Sequence, residues 1–561
     1  MTHRIPGQER PLGPPVAHTH IQGMNFAILF ALMQATAPLS VVTDWVRPDQ
    51  DIIHYTIALS IPQRGTTIIG DVRLRYVVCG GAGPLLLDFD RHFAIDSLLA
   101  VLPTGRETVE WEWTEHGGSD VLSIPHWGRP GDTLSVQVHY RGSPADGLII
   151  GSNVHGDRTA FADNWPNRAH YWFPAEDHPS DKATVDFGIA VPTGWRVVAN
   201  GHLTDVDTST TGRTVWHWSE PRPIPVHTMV IGAGVLGIAE LGDVDGAPQS
   251  VWAFPSDSAF AVDVPFRRAR EMVRVLSATI GPFPYDKLAH VQSATRYGGM
   301  ENSSAIFYNQ NSYARRTMGE GVVAHEIAHQ WFGDAVAQAD WHHLWLSEGF
   351  ATYFGNLTFD LLGEPQRFLD GMASGRSRYL RSNSVERPVI DTAEHNLMAL
   401  LNANNYQKGS WVLHMLRGEV GDSAFFGSIR DYYDVFRDSS VLTDDFSAVV
   451  SRHADRPMEW FFEQWLLQPG YPQIQVRWRH DAGGKALVLE IDQVQPSEWG
   501  EFTFRLPLVA RSASGASESL VAHVSGRNWL QEIPVDQVPN ELLLDPEHTL
   551  LIEILEIAGP S

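Results

Sequence analysis

Alternating apolar and polar positions dominate the first part of the chain. Between residues 54 and 241, runs such as Val72–Tyr76 and Leu134–Tyr140 carry an apolar side chain at every second position, and glycine and proline turn signals separate the runs. This period of two is typical of strands that bury one face. The pattern predicts a mainly antiparallel β domain.

In the middle of the chain the spacing becomes helical. Apolar side chains recur every three or four residues from Asp263 to Gly281, from Val322 to Ala328, and from Val412 to Val420. Such spacing predicts helices with one buried face, the first of them with Asp263 as its N-cap. Gly333 and Gly421 stand where the second and third helices are expected to end.

Alternation returns near the end of the chain and predicts a small β-sandwich. Ile474, Val476 and Trp478 alternate with polar residues, as do the apolar residues from Phe502 to Leu506. A chain of 561 residues is too long for one core, so a multidomain α+β protein is expected. The predicted divisions are a targeting segment at 1–45, a β domain at 46–245, an α+β domain at 246–470 and the sandwich at 471–561, with Asp243–Pro248 as the linker into the α+β domain.

The first 45 residues have the features of a targeting segment. Arg4 and Arg10 precede the apolar run Phe26–Met33, and Ala35–Ala37 is similar to a signal-peptidase site. The run is short for a membrane span. Export to the periplasm or the exterior is expected, with an uncleaved membrane anchor and a cytoplasmic protein as alternatives.

Composition narrows the set of partners. The hydrophobic share of 43% and the charged share of 19% are those of a soluble globular protein, and the formal net charge is −25. Because nucleic acid and anionic membrane surfaces are also negative, the charge argues against both, leaving the possible N-terminal anchor as the only membrane contact expected. Cys79 is the single cysteine, so internal disulfides are excluded. A monomer is expected.

The candidate chemistry centres on the pentad His325-Glu326-Ile327-Ala328-His329. Residues i and i+4 project from one face of a helix, so the two imidazoles can bind one cation. Glu326 lies beside them, where a carboxylate can take a proton from water near the metal. Glu348, further along the chain, would complete a three-ligand zinc set with an open position, which is typical of a catalytic site.

Three motifs in order resemble one family. They are Gly298-Gly299-Met300-Glu301-Asn302, the stretch from His325 to Asp334, and Trp345-Leu346-Ser347-Glu348-Gly349-Phe350-Ala351. Together they are similar to the gluzincin zinc aminopeptidases, the family of aminopeptidase N and leukotriene hydrolase. The resemblance covers nearly the whole chain. It implies a saddle-like N-terminal β domain, a thermolysin-like α+β catalytic domain and a C-terminal β-sandwich.

The resemblance also implies roles for individual residues. His325, His329 and Glu348 would bind one Zn²⁺ per chain, and Glu326 would be the general base that takes a proton from the metal-activated water. Tyr406, in a segment similar to the family's Tyr-x-Lys-Gly, would donate a hydrogen bond to the oxyanion.

Substrate recognition is implied in the same way. Glu301 would bind the free α-ammonium of a peptide, and the backbone at Gly298 and Gly299 would align the chain. The function implied is removal of N-terminal residues from peptides. A catalytically silent peptide-binding module and a zinc endopeptidase on the same fold are the alternatives.

This sequence departs from the family pattern at three places. Asp163 lies where many relatives have a Glu or Gln that also binds the substrate amine, Ser347 replaces a usual Asn, and Gly355 stands where relatives often have an acid that supports the metal ligands. His342 and His343 are near the motif but are expected to be solvated or packed. The chain has only four lysines, three of them in family-like segments, which indicates that arginine would not serve there. These three are Lys182, Lys287 and Lys408.

Overall fold

The N-terminal part consists of three sheets, and the eight-stranded sheet forms its centre. A computed structural model describes residues 46–81, 83–125, 128–481, 483 and 485–559, so the predicted targeting segment at 1–45 lies outside the described residues. The strands are β1 Gln50–Ser60, β2 Ile68–Val78, β3 Leu85–Asp88, β4 Ala94–Leu102, β5 Gly105–Thr108, β6 Glu112–His116, β7 Ser119–Ile124, β8 Thr133–Gly142, β9 Leu148–Ser152, β10 Arg158–Ala162, β11 Lys182–Pro192, β12 Arg196–Ala199, β13 His202–Asp207, β14 Arg213–Pro225 and β15 Ile231–Gly234.

The eight-stranded sheet has the order β13-β14-β11-β1-β2-β8-β4-β5, and smaller sheets are ordered β12-β15-β10-β9 and β3-β7-β6. Strand pairs in the large sheet are antiparallel except β1 with β11, which is parallel. Buried residues alternate along β2 as the sequence predicts, with Val72, Leu74 and Tyr76 inside.

The catalytic part has a mixed five-stranded sheet and a group of helices. The sheet order is β16-β17-β18-β20-β19, in which β17, β18 and β20 are parallel and β19 is an antiparallel edge strand. The strands of this sheet are β16 Gly237–Val244, β17 Ala247–Ala253, β18 Leu288–Ser293, β19 Gly299–Met300 and β20 Ala305–Asn309. Two further strands, β21 Val336–Gln338 and β22 Ser439–Val441, form a separate parallel pair. The helices are α1 Ser258–Asp263, α2 Ala269–Thr279, α3 Gln310–Ala314, α4 Glu320–His329, α5 Trp345–Leu361, α6 Pro365–Leu380, α7 Gly409–Phe436, α8 Thr443–Ala454 and α9 Glu459–Phe462.

Two small sheets complete the chain. They have the orders β27-β24-β23-β29 and β26-β25-β28, and their apolar faces share one continuous core with the catalytic helices. The strands are β23 Gln473–His480, β24 Ala486–Gln493, β25 Phe504–Ser512, β26 Ser517–Val524, β27 Asn528–Pro534, β28 Pro539–Leu544 and β29 Glu553–Ala558. The predicted fold class, a β-rich N-terminal domain, an α+β catalytic region and a C-terminal β domain, is confirmed.

Several local boundaries differ from the sequence predictions. Asp243–Pro248 is not a linker, because it forms the turn where β16 pairs with β17. Asp263 is the last residue of α1 rather than an N-cap, and Arg268 precedes α2. Helix α4 ends at His329 and Gly333 lies in the following turn with φ of 113°.

Each of the three lysines in family-like segments donates to main-chain carbonyls; Lys287 and Lys408 are buried, and Lys182 is half-buried. Lys182 Nζ lies 2.8 Å from the carbonyl oxygens of Asp334 and Ala335, so it joins β11 to the turn after α4. Lys287 Nζ donates to the Ser304 carbonyl and Lys408 Nζ to that of Gln468, each at 2.9 Å. Burial lowers the pKa of all three to about 7. A compact ammonium on a flexible stem suits such carbonyl clusters better than a planar guanidinium.

Within the part of the chain that the structure describes, no helix has the length and apolar character needed to cross a membrane.

Helix α7 contains a break at the predicted position. Gly421 has φ of 81° and ψ of 160°, which is not helical and is essentially restricted to glycine. We expect Gly421→Ala to lower the free energy of unfolding by about 1–3 kcal/mol, because the Cβ would strain this backbone. Gly418→Ala is the matched control: Gly418 is exposed in the regular part of the same helix with open space around its Cα, and alanine there should raise stability by about 0.5–1 kcal/mol. Urea denaturation of both variants checks the prediction, and equal effects would contradict it.

Candidate metal centre and active site

The two histidines of the pentad lie on one face of α4, as predicted. Helix α4 begins after Gly319, whose extended backbone ends the preceding loop. The Nε2 atoms of His325 and His329 are 3.1 Å apart, and their rings are nearly perpendicular. Helix α5 packs alongside and brings Glu348 Oε2 to 3.3 Å from each Nε2 atom.

This triangle of donor atoms fits a zinc ion. Zinc–ligand bonds of about 2.0–2.1 Å in a tetrahedral site place ligand atoms roughly 3.3 Å apart, which is close to the three separations observed. Glu348 Oε2 is buried, and the polar atoms that face it are the two Nε2 atoms. A buried carboxylate oxygen that faces the lone pairs of two imidazole nitrogens destabilises the folded protein unless a cation lies between the three atoms.

Main-chain carbonyls orient both imidazoles. His329 Nδ1 donates to the Phe332 carbonyl at 3.1 Å, and His325 has a hydrogen bond to the backbone of Ala351. Because Nδ1 carries the proton, the Nε2 lone pair of His329 is left for the metal. Ser347, the substitute for the family's usual Asn, places Oγ 3.1 Å from the same Nδ1 atom.

Gly355 has a steric role in place of the acid found in relatives. A Cβ on Gly355 would lie 2.9 Å from His325 Cα, so α4 and α5 approach with their backbones almost in contact at the level of the metal. A second contact of this kind lies between Gly349 and Gly409. A Cβ added to either glycine would lie 3.0 Å from the backbone of the other. These glycines let Glu348 and the Tyr406 turn converge.

Tyr406 lies on a π-helical turn, Asn404–Lys408, just before α7. Its hydroxyl donates to Glu348 Oε1 at 2.6 Å, and its ring stacks on that of His325 with centroids 6.0 Å apart. The phenol therefore holds one oxygen of Glu348, which leaves the other facing the histidines. Burial, followed by the Glu348 charge, raises the pKa of the phenol well above its usual value, so it remains protonated.

Glu326 and Glu301 come together beside His329. One carboxylate oxygen from each and a nitrogen of His329 lie within 4.8 Å of one another. Gly299 packs directly against Glu326, because a Cβ there would lie 2.1 Å from Glu326 Oε1. Gly299 therefore leaves room for the proposed base, a role not foreseen from the sequence.

The site concentrates negative charge in a buried volume. Burial raises the pKa of Glu301 to about 7 and that of Glu326 well above its usual value. Burial alone would lower the pKa of His329, but Glu301 and Glu348 outweigh it and raise it to about 10. Burial opposes ionisation of Glu348 too, yet His329 and His325 lower its pKa to about 2. Without a metal, the cluster holds a proton on His329, and a divalent cation supplies the same positive charge.

The backbone that carries Glu301 is held by Gln330 and Ser304, whose roles are not predicted from the sequence. Gln330 accepts a hydrogen bond from Ser304 N at 2.8 Å and donates to the Glu301 carbonyl at 2.7 Å and to Asp334 Oδ2 at 2.8 Å. Ser304 has a left-handed backbone with φ of 62° and accepts from Gly201 N of the N-terminal domain. The feature of the sequence that could have identified Gln330 is its position directly after His329.

The remaining predicted residues take structural contacts. Asp163 is fully buried and paired with Arg168 at 2.8 Å, so its carboxylate already has a partner. His342 contacts Asp340 and the Glu394 carbonyl, and neither His342 nor His343 belongs to the metal-binding groups found among the described residues. Gly298 is half-buried, and its carbonyl accepts from Asn309 N at 3.1 Å.

The fold and the site define a gluzincin metal centre: two histidines of one helix and a glutamate of the next, beside a β edge. The description "Peptidase family M1 domain" matches residues 268–465, and "Peptidase M1 N-terminal domain" matches residues 53–227. The chain belongs to peptidase family M1, the gluzincin family that the motifs indicate. The family and the donor set identify the metal as Zn²⁺.

Individual proteins similar to this chain carry the names of aminopeptidases or of an M1 zinc metallopeptidase. Aminopeptidase M1-A of Oryza sativa subsp. japonica is 27% identical over 350 residues, covering 59% of this chain and 38% of its own. Probable aminopeptidase 2 of Sulfurisphaera tokodaii is 27% identical over 331 residues, covering 55% and 41%. The chain thus spans less than half the length of these two relatives. The crystal structure of an M1 zinc metallopeptidase from Deinococcus radiodurans matches with a TM-score of 0.66 and 27% identity, covering 75% of this chain and 95% of that one.

The contact at Gly355 leads to a prediction about zinc. We expect Gly355→Ala to weaken zinc binding by about 10-fold or more, because the Cβ would push α4 away from α5 and shift His325 relative to Glu348. Gly375→Ala on α6 is the control, since the atoms nearest its Cβ would be 3.8 Å away. Competition with a chromophoric chelator measures both affinities. Unchanged zinc affinity in Gly355→Ala would contradict this account of the helix contact.

Proposed function

We propose that this protein is a zinc aminopeptidase that removes N-terminal residues from peptides. The observation that carries the proposal is the place of Glu301. Its carboxylate is buried within 4.8 Å of Glu326 and is not one of the three proposed zinc ligands. Among the described residues, the charged groups that act on it are His329 and Glu348, and neither a lysine nor an arginine does so. A substrate ammonium is the natural partner for such a group.

In the proposed reaction each side chain of the site has its own role. His325, His329 and Glu348 hold zinc, which when bound polarises the scissile carbonyl and lowers the pKa of water to about 7. Glu326 accepts the proton of the attacking water and delivers it to the leaving amine. Tyr406 can move its hydroxyl from Glu348 to the developing oxyanion, to which it donates a hydrogen bond.

Glu301 and the edge strand β19 set the position of the substrate. The carboxylate of Glu301 binds the α-ammonium, so that the scissile carbonyl is the one of that same N-terminal residue. Gly298 and Gly299 offer an unobstructed backbone beside it. Since Asp163 is engaged by Arg168, Glu301 is the principal amine contact in this proposal.

The proposal predicts a strict requirement for a free amino terminus. We expect hydrolysis of an unmodified peptide and at least about a 100-fold lower rate for its N-acetylated form, because the cap removes the cation and leaves Glu301 buried without a partner. Chromatography of the released amino acid measures both rates. A parallel reaction with a zinc chelator is the control and should stop hydrolysis.

The alternatives give different results in the same assay. Cleavage of both peptides within the chain would indicate an endopeptidase, and zinc binding without cleavage of either would indicate a silent binding module.

The role of Glu326 is tested separately. We expect Glu326→Gln to keep its zinc and lose about 10²–10⁴-fold in kcat, because the amide cannot accept the proton. Glu320→Gln at the start of the same helix is the control and should keep near wild-type kcat, since Glu320 pairs with Arg268 away from the metal. Metal analysis and steady-state kinetics are the measurements. Wild-type turnover in Glu326→Gln would overturn the assignment.

A further inference from the structure

We infer that Gln330 is a positioning residue that sets the distance between the amine-binding carboxylate and the metal. The inference rests on the proposed aminopeptidase function and deepens it. Glu301 lies after the edge strand β19, whereas Glu326 and His329 lie on α4. These groups act on one substrate from two separate elements, so something must hold the elements in register.

The hydrogen bonds of Gln330 supply that connection. The side chain is fully buried, and its acceptor and both of its donors are used. Two of the three bonds go to the main chain of the segment from Glu301 to Ser304, and the third goes to Asp334. Gln330 follows the ligand His329 directly, so its amide joins the end of the metal helix to the backbone of Glu301.

The contact to Asp334 extends the connection toward the N-terminal domain. Asp334 Oδ2 accepts from Gln330, and the Asp334 carbonyl accepts from Lys182 of β11. Ser304 is held independently, by Lys287 at its carbonyl and by Gly201 at its hydroxyl. Gln330 therefore lies where the metal helix, the segment that carries Glu301 and the turn anchored by Lys182 meet. Loss of its amide would free Glu301 relative to zinc without removing a ligand.

The expected result is a selective loss of amine recognition. A shift of about 1 Å in a positioned group can cost on the order of 100-fold, so we expect at least about a tenfold effect. The probes are leucine hydroxamate and its des-amino analogue, 4-methylpentanoic hydroxamate. Both carry the same metal-binding group, and only the first has an ammonium for Glu301. The dissociation constant of the des-amino compound divided by that of leucine hydroxamate, both measured by titration calorimetry, therefore reports amine recognition without depending on turnover.

Gln330→Met is the main variant, because methionine has a similar volume and cannot form these hydrogen bonds. We expect this ratio, des-amino compound over leucine hydroxamate, to fall about tenfold or more, with zinc content and the affinity for the des-amino hydroxamate near wild type. Gln330→Glu is the second variant. It keeps an acceptor for Ser304 N but loses the donor to the Glu301 carbonyl, so it should also reduce the ratio.

The matched control is Gln292→Met. Gln292 is also a fully buried glutamine, accepting from Phe254 N and donating to Asp257, but it lies on β18 outside the site. It should cost stability without changing the ratio, which separates positioning from a general loss of packing. If Gln330→Met does not fold, Gln330→Glu decides.

The possible results distinguish amine recognition by Glu301 from the positioning role of Gln330. A wild-type protein that binds both hydroxamates equally would remove the proposed amine recognition itself. A wild-type preference for the amine that persists in folded Gln330 variants would overturn the positioning role alone, as would an equal loss in Gln292→Met.

Discussion

Burial of negative charge is the constraint on which the rest of this site depends. Glu301, Glu326 and Glu348 lie out of water around His329, and their mutual repulsion must be offset by positive charge. Zinc offsets part of it, and in the proposed function a substrate ammonium offsets a further part. The carboxylates are thus held apart from solvent for two cations, one resident and one arriving with each substrate.

Holding these groups together requires close approach of backbones, and glycines make this possible. Gly355 allows α5 to lie close to α4, and Gly349 allows α5 to lie close to the turn that carries Tyr406. Gly299 leaves room for Glu326. In each case the neighbouring atom lies closer than a Cβ allows. The glycines therefore fix the relative positions of four segments, although they offer no chemistry of their own.

The predictable features were those that depend on local spacing. Period-two alternation gave the β domains, and the i, i+4 geometry placed His325 and His329 on one side of α4. Features that depend on tertiary contacts were missed or misread: Asp243–Pro248 is a hairpin turn because β16 pairs with β17, and the Glu326–Gly299 contact joins residues from different elements. Asp163 could be named from the sequence only as a possible second amine contact, and its pairing with Arg168 could not be foreseen.

Main-chain carbonyls explain how the site tolerates departures from the family pattern. They accept from His325 and His329, from Lys182 and from Gln330. A carbonyl remains in place when its own side chain changes, so these contacts constrain the donor's identity far more than the acceptor's. Gly355 therefore need not be an acid, since the Ala351 backbone already orients His325. Contacts of this kind are compatible with the low identity, 27% over the aligned residues, between this chain and proteins similar to it.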